Sequence, residues 1–210
     1  MRIAVIGHGN VGGALGRRWE SVGYSVIYGV RDPTGKSAEA FCNTHGGQPA
    51  LAAIPEALAG ADTVLLATPF NAALELADAH RDILTGKVVI DATNPIGPGL
   101  VLTVGHDTSG AEQIATRALG ARLVKAFNTY GWENFADAAY PQGKPVMFIA
   151  GDDGDATSLV SNLADKIGFE PAVVGGLKMA RYLEPMAMLW IQMGRVQGRG
   201  SGFAWAMLQR

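Results

Sequence analysis

A doubly wound α/β fold with a mainly parallel sheet is what this sequence predicts, and three features carry the expectation. Short runs that are apolar on both faces alternate with longer segments of helical period. The first run, "RIAVIG", passes directly into a glycine loop, "GHGNVG", at Gly7 to Gly12. Each later run is again followed by a helical segment, the arrangement that covers a parallel sheet on both sides. No solenoid-period repeat and no low-complexity linker divides the 210 residues, so a single core is expected.

Taken in order, residues 2–7 read as a buried strand, residues 11–22 as a helix stopped at Gly23, and "SVIYGV" as the second strand. A helix over about 37–44 stops at Gly46 and Gly47, and residues 57–60 lead into the strand "ADTVLLAT". A helix near 71–83, the strand "KVVIDAT", a helix near 111–119 and the strands "ARLVKAF" and "KPVMFIAG" follow. Residues 155–167 give a further helix and "EPAVVG" a further strand, after which the composition shifts to Met, Leu, Trp and Arg from Leu177. The expected division is a dinucleotide-binding unit over 1–175 and a small helical C-terminal segment over 176–210.

Between a strand and a helix the glycine loop reads as a Rossmann-type dinucleotide cradle. Gly7 permits the tight turn, Gly9 lets the backbone approach a pyrophosphate, and Gly12 lets the helix pack on the strand. His8, Asn10 and Val11 complete the loop beside the phosphates, which would rest on the helix N-terminus. The end of the second strand selects the dinucleotide. An NAD site places an acid there for the ribose 2′-OH, whereas this segment reads "IYGVRDPTGK", with Arg31 and then Lys36 available to a 2′-phosphate. That pattern points to NADP. Asp32 leaves NAD open if the turn shifts by one residue; its other reading is a turn residue before Pro33.

Several classes are excluded by composition. Seventeen Lys and Arg are scattered among 19 Asp and Glu, for a net charge of −2, which argues against a nucleic-acid partner. The single cysteine, Cys42, allows no internal disulfide and no Cys-rich metal site. Met1 leads straight into strand residues without a signal-peptide pattern, and the apolar run "MAMLWI" is too short to span a bilayer, so a cytoplasmic protein is expected. His8, His45, His80 and His106 are dispersed without metal-ligand spacing. "GDDGD" lacks the full ligand pattern of a calcium loop and reads as a helix-capping turn.

The motifs "GHGNVG", "GVRDP", "ATPFNA", "DATNP", "VKAFNTYGWENF", "FIAGDD" and "GGLKMARYLEPMAMLWI" fall in an order that resembles the NADPH-dependent reductases of the deazaflavin coenzyme F420 over nearly the whole chain. A more distant likeness is to the cytosolic domains of transmembrane ferric reductases. The resemblance implies NADP as cofactor and F420 or a flavin as co-substrate. It assigns Thr68, Pro69 and Phe70 to the turn beneath the nicotinamide ribose, and Asn128, Thr129 and Tyr130 to the hydride-transfer pocket. Asn128 and Tyr130 depart from the archaeal form of this stretch, which has His and an aliphatic residue there. The family's tail, here Leu177, Tyr182, Leu183 and Met186, packs near the deazaflavin and across a dimer partner.

Hydride transfer requires two flat rings held at near-attack distance and shielded from water, so no catalytic acid or base is assigned. Asn94, Asn128, Tyr130 and Trp132 cluster at predicted strand ends, where ligands of open α/β sheets sit. In the tail, Tyr182, Leu183, Met186, Leu189, Trp190 and Met193 recur at helical spacing as a wide apolar stripe, suited to core packing or to a homodimer interface anchored by Trp190 and Trp205. The leading expectation is an oxidoreductase passing hydride between NADP(H) and a deazaflavin or flavin-like small-molecule acceptor. The alternatives are an NADPH-dependent reductase of ferric or other small molecules, and a non-enzymatic NADP-binding sensor.

Overall fold

The computed structural model describes residues 1–208 and 210. Along the chain run β1 (Arg2–Ile6), α1 (Asn10–Ser21), β2 (Ser25–Val30), α2 (Lys36–His45), β3 (Leu51–Ala53), α3 (Ile54–Ala59), β4 (Thr63–Leu66), α4 (Phe70–Ala79), α5 (Arg81–Leu84) and β5 (Val88–Asp91). There follow a small hairpin of β6 (Ile96–Gly97) and β7 (Val101–Leu102), then α6 (Gly110–Arg117), β8 (Arg122–Lys125), α7 (Glu133–Ala136), β9 (Val146–Gly151), α8 (Gly154–Lys166) and β10 (Glu170–Gly175). A 3₁₀ turn (Leu177–Met179), α9 (Ala180–Ile191) and a π turn (Gln192–Val196) complete the regular structure.

The main sheet has the order β10-β9-β8-β5-β4-β1-β2-β3. From β3 to β8 every pairing is parallel, and the chain reverses its direction of travel at β1, which lies between β2 and β4. This is the doubly wound architecture that the alternating pattern predicts. One joint differs: β9 pairs with β8 antiparallel, at only Val124 with Gly151 and Lys125 with Ala150, while β9 and β10 are parallel to each other.

The strands are apolar on both faces because both faces are covered. One core holds Ile3, Val5, Trp19, Phe127, Phe135 and Phe169; the other holds Ile6, Leu66, Val89, Ile114 and Ala180. Trp19 is wholly buried, and its Nε1 donates to the Leu163 carbonyl at 3.3 Å, joining α1 to α8. The stop after α2 is Gly46, at φ +87°, a conformation that costs a glycine nothing.

The structure departs from the sequence expectation in a few elements. β3 is an edge strand of three half-buried residues, too short to show a period. The single helix expected over 71–83 is two, because His80 leaves helical geometry at φ −119°. The hairpin β6–β7 and the one-turn α7 lie in stretches with no helical or strand period. The wide apolar stripe of the tail is divided: Ala180, Leu183, Ala187 and Trp190 of α9 are buried, while Tyr182 and Leu189 face solvent. Trp190 belongs to the core, and Trp205 donates from Nε1 to the Thr129 carbonyl at 3.3 Å, so both expected interface anchors are engaged within the chain.

What fastens α9 to the sheet is a buried ionic group. Lys125, Asp91 and Glu184 are each almost wholly removed from solvent. Lys125 Nζ lies 2.9 Å from Asp91 Oδ2, 3.0 Å from Glu184 Oε1, and donates to the Thr93 carbonyl at 2.5 Å. Glu184 also accepts from the backbone N–H groups of Gly110 and Ala111 at 2.9 and 3.1 Å, closing the start of α6. Burial pushes the ammonium towards its neutral form, but Asp91 and Glu184 together outweigh it and hold Lys125 above the ordinary lysine range.

Lys125→Met should cost about 3–5 kcal/mol in urea unfolding near neutral pH, since two buried carboxylates lose their cation. A folded-state pKa raised above the unfolded one gives stability that is complete below the unfolded lysine value of about 10.4. It is lost as pH rises through the folded value, so alkaline titration should weaken the wild type more steeply than the Met variant.

Candidate functional site

The reversal of chain direction at β1 opens a crevice at the carboxyl ends of β1 and β4, and a cleft of about 1030 Å³ lies there. Its floor is the glycine loop. Gly7 has φ +101°, and a Cβ on it would lie 2.5 Å from the Ala67 carbonyl oxygen; a Cβ on Gly12 would lie 1.8 Å from the Gly7 oxygen. Neither position admits a side chain. A Cβ on Gly9, by contrast, would meet nothing within 4 Å, so its bare Cα leaves open space above the first turn of α1.

That first turn has no side-chain cap, Gly9 being its N-cap residue, whereas Ser109 caps α6 and Asp153 caps α8 by accepting from backbone N–H groups. The leading N–H groups of α1 are therefore free for an anion from outside the helix. A pyrophosphate fits this cradle. His8 closes one side, its ring edge-on to Phe41 and its Nε2 3.0 Å from Ser37 Oγ.

At the end of β2 the cleft is lined by Gly29, Val30 and Arg31. Tyr28, just before them, is buried against Glu20 and His45, at 3.3 and 3.1 Å from its hydroxyl. Burial first and Glu20 second push the tyrosine pKa up, so it stays neutral. Arg31 is exposed and forms no ion pair among the described residues. Asp32 does not line the cleft, and its Oδ1 accepts from Thr34 Oγ1 at 2.8 Å and from Thr34 N at 2.9 Å. Those bonds, the hydroxyl foremost, hold its carboxyl below the usual range. Lys36 is the exposed first residue of α2, whose N-terminus is also without a side-chain cap.

On the opposite wall Ala67, Thr68 and Pro69 follow β4, and the buried Thr68 hydroxyl has no protein partner. Phe70 lies behind this turn in the core. Trp132 also lines the cleft. Asn94 and Asn128 do not line it but lock to each other: Asn128 Nδ2 donates to Asn94 Oδ1 at 2.9 Å and to the Leu183 carbonyl at 3.0 Å, and Asn94 Nδ2 donates to the Asn128 carbonyl at 3.0 Å. The Tyr130 hydroxyl turns inward to the carbonyls of Val146 and Trp205, and burial pushes its pKa up. Leu177 is buried in the core beneath α6, and Tyr182 projects from α9 at 69% exposure. Val11 packs against the core behind the loop.

The cleft includes residues that the motifs do not reveal. Arg17 comes from α1, Ser37, Ala40, Phe41 and Thr44 from one face of α2, and Ala72, Glu75, Leu76 and Ala79 from one face of α4. Both helix faces follow the spacing i, i+3, i+4, i+7, the one signal that would group them from sequence. Among the described residues no three His, Cys, Asp or Glu side chains converge to hold a metal ion. In "GDDGD", Asp153 caps α8 and Asp152 accepts from Leu177 N at 2.9 Å. The arrangement suits an elongated ligand carrying several anionic groups, one at each open helix start, with flat groups between apolar walls.

Residues 2–95 match the family described as NADP oxidoreductase, coenzyme F420-dependent. The F420-dependent NADP reductase of Methanothermobacter thermautotrophicus is 34% identical over 95% of this chain and 93% of its own length. The rat metalloreductase STEAP3 is 28% identical over 89% of this chain, which spans only 36% of that protein. A crystal structure from Arthrobacter sp. FB24, described as a candidate F420-dependent NADP reductase, superimposes with a TM-score of 0.90 at 28% identity over the full length of both chains. Identity of 34% across nearly the whole of both partners shows that this chain belongs to the F420-dependent NADP reductase family.

Proposed function

We propose that this protein transfers a hydride between NADP(H) and the deazaflavin coenzyme F420. Besides family membership, the observation that carries the reading is the end of β2: Arg31 stands unpaired on the cleft while Asp32 is spent on its own turn. A guanidinium there favours the 2′-phosphate of NADP, and the carboxylate that a 2′-hydroxyl would need does not line the cleft and has one oxygen engaged in its own turn. Bound NADPH would supply the hydride from its dihydronicotinamide ring, and NADP+ would accept it in the opposite direction.

The chain's own part is to bind and to position. The start of α1, with Gly7, His8, Gly9, Asn10, Val11 and Gly12, holds the pyrophosphate; Arg31 and Lys36 hold the 2′-phosphate. Thr68, with its unpaired hydroxyl, and Pro69 support the nicotinamide ribose, and Phe70 backs that turn. Trp132 forms the acceptor-side wall and excludes water. Asn94, Asn128 and Tyr130 position the loop that carries Trp132 by holding its backbone from below, and Leu177 seats the C-terminal segment. Tyr182 and Leu189, on the outer face of α9, contact a second copy of the chain in a homodimer. No helix among the described residues is long and apolar enough to cross a membrane, and a cytoplasmic location belongs to this proposal.

NADPH oxidation measured with F420, FMN and ferric chelates offered in turn should be fastest with F420; turnover of ferric chelate alone would assign the chain to the metalloreductase chemistry, and turnover of none would make it an NADP sensor. Arg31→Ala should raise KM for NADPH about tenfold to a hundredfold while KM for NADH changes little, and equal effects on both would sink the 2′-phosphate assignment. Light scattering at micromolar concentration should give twice the 22.0 kDa chain mass, and a monomer would defeat the homodimer.

A further inference from the structure

Arg17 has no role in the reading so far. It stands seven residues into α1, about 10 Å along the helix from the pyrophosphate cradle, yet it lines the cleft. Its side chain runs back towards the helix start, as long side chains on helices do: a Cβ built on Gly13 would lie 3.2 Å from Arg17 Nη1, 3.4 Å from the His8 carbonyl oxygen and 3.4 Å from Phe41 Cε2. The guanidinium thus lies over Gly13 on the flank of α1 that faces α2, near the Phe41 ring, where a Cβ would push it aside by a few tenths of an ångström.

The same groove between α1 and α2 is bordered by Ser37, Ala40 and Thr44, and Arg31 stands at its mouth. His8 Nε2 meets Ser37 Oγ at 3.0 Å across the groove, pinning the glycine loop to the first turn of α2 and setting the spacing between them. α2 begins at Gly35 without a side-chain cap. Among the described residues neither Arg17 nor Arg31 has a carboxylate within ion-pair distance. Two guanidinium groups without a carboxylate partner and an open helix start therefore border one groove, where an anion from outside the chain would replace water as their partner.

We propose that Arg17 is a specificity-determining residue of this site, supplying from α1 a second guanidinium, in addition to Arg31, for the 2′-phosphate that separates NADP from NAD. The proposal rests on the NADP reading above. It differs from a pyrophosphate contact, which would serve both dinucleotides equally.

The test is equilibrium binding of NADPH and NADH to the wild type, Arg17→Gln and Arg17→Lys. Arg17→Gln should weaken NADPH about tenfold and leave NADH within about twofold, the retained NADH site reporting that the variant is folded. Arg17→Lys, with the charge but without the forked donor, should keep part of the preference. Equal losses for both dinucleotides, or no loss for either, in a protein whose wild type prefers NADPH, would overturn the assignment of Arg17 and leave the cofactor reading intact. A wild type with no preference for NADPH would overturn the cofactor reading itself, and this assignment with it.

Discussion

A lysine ammonium enclosed between two carboxylates and cut off from water sets the terms for the carboxyl edge of this sheet. Lys125 ends β8, Asp91 ends β5 and Glu184 comes from α9, so one ionic contact joins two neighbouring strands to a helix that is distant in the chain. Well-packed apolar side chains of equal volume would serve stability as well or better. What the ions add is direction. Glu184 divides its oxygens between the ammonium and the first N–H groups of α6, and the next carbonyl along, that of Leu183, accepts from Asn128. The pose of α9, the start of α6 and the loop after β8 are thereby set by one carboxylate and its neighbouring peptide group.

The helix starts on the cleft contrast with two elsewhere that are closed by side chains. α6 and α8, which face away from the cleft, spend a serine and an aspartate on their own first turns. α1 and α2, which open on it, begin at glycines that offer nothing. Arg17 and Arg31 on the cleft wall have no carboxylate partner among the described residues, whereas Arg122 and Arg181 do; several arginines away from the cleft, such as Arg2 and Arg81, are likewise unpaired. The cost of leaving such groups open is small while they are wet, and it is offset when an anion arrives.

The glycine loop, the alternation of strands and helices and Arg31 were legible in the sequence because each is a local pattern with a steric or electrostatic cause. The ionic core was not, although a lysine inside the apolar run "ARLVKAF" is itself a sign that a partner must be found: Asp91 is 34 residues away in the chain and spacing does not name it. Tyr130 shows a different limit. An aromatic at a strand end reads identically whether it walls a pocket or braces the core, and only the inward path of its hydroxyl separates the two. Arg17, Ser37 and Thr44 resemble an ordinary solvated helix surface until α1 and α2 are placed side by side. Trp190 and Trp205 read as surface anchors, and it is the return of the chain from 201 to 205 against Asn134, Tyr130 and Val146 that covers them.

Gly7 rests against the carbonyl of Ala67, so the cradle is assembled from segments sixty positions apart and exists only when β1 and β4 are already paired. A partly folded chain has no such cradle. Whatever dinucleotide occupies it is thus held by the native state alone, and mass action turns occupancy into folding free energy: about 2.7 kcal/mol when free ligand stands at a hundred times its Kd. A bound dinucleotide would thus act as a reversible staple between β1 and β4, and resistance to proteolysis would follow its occupancy.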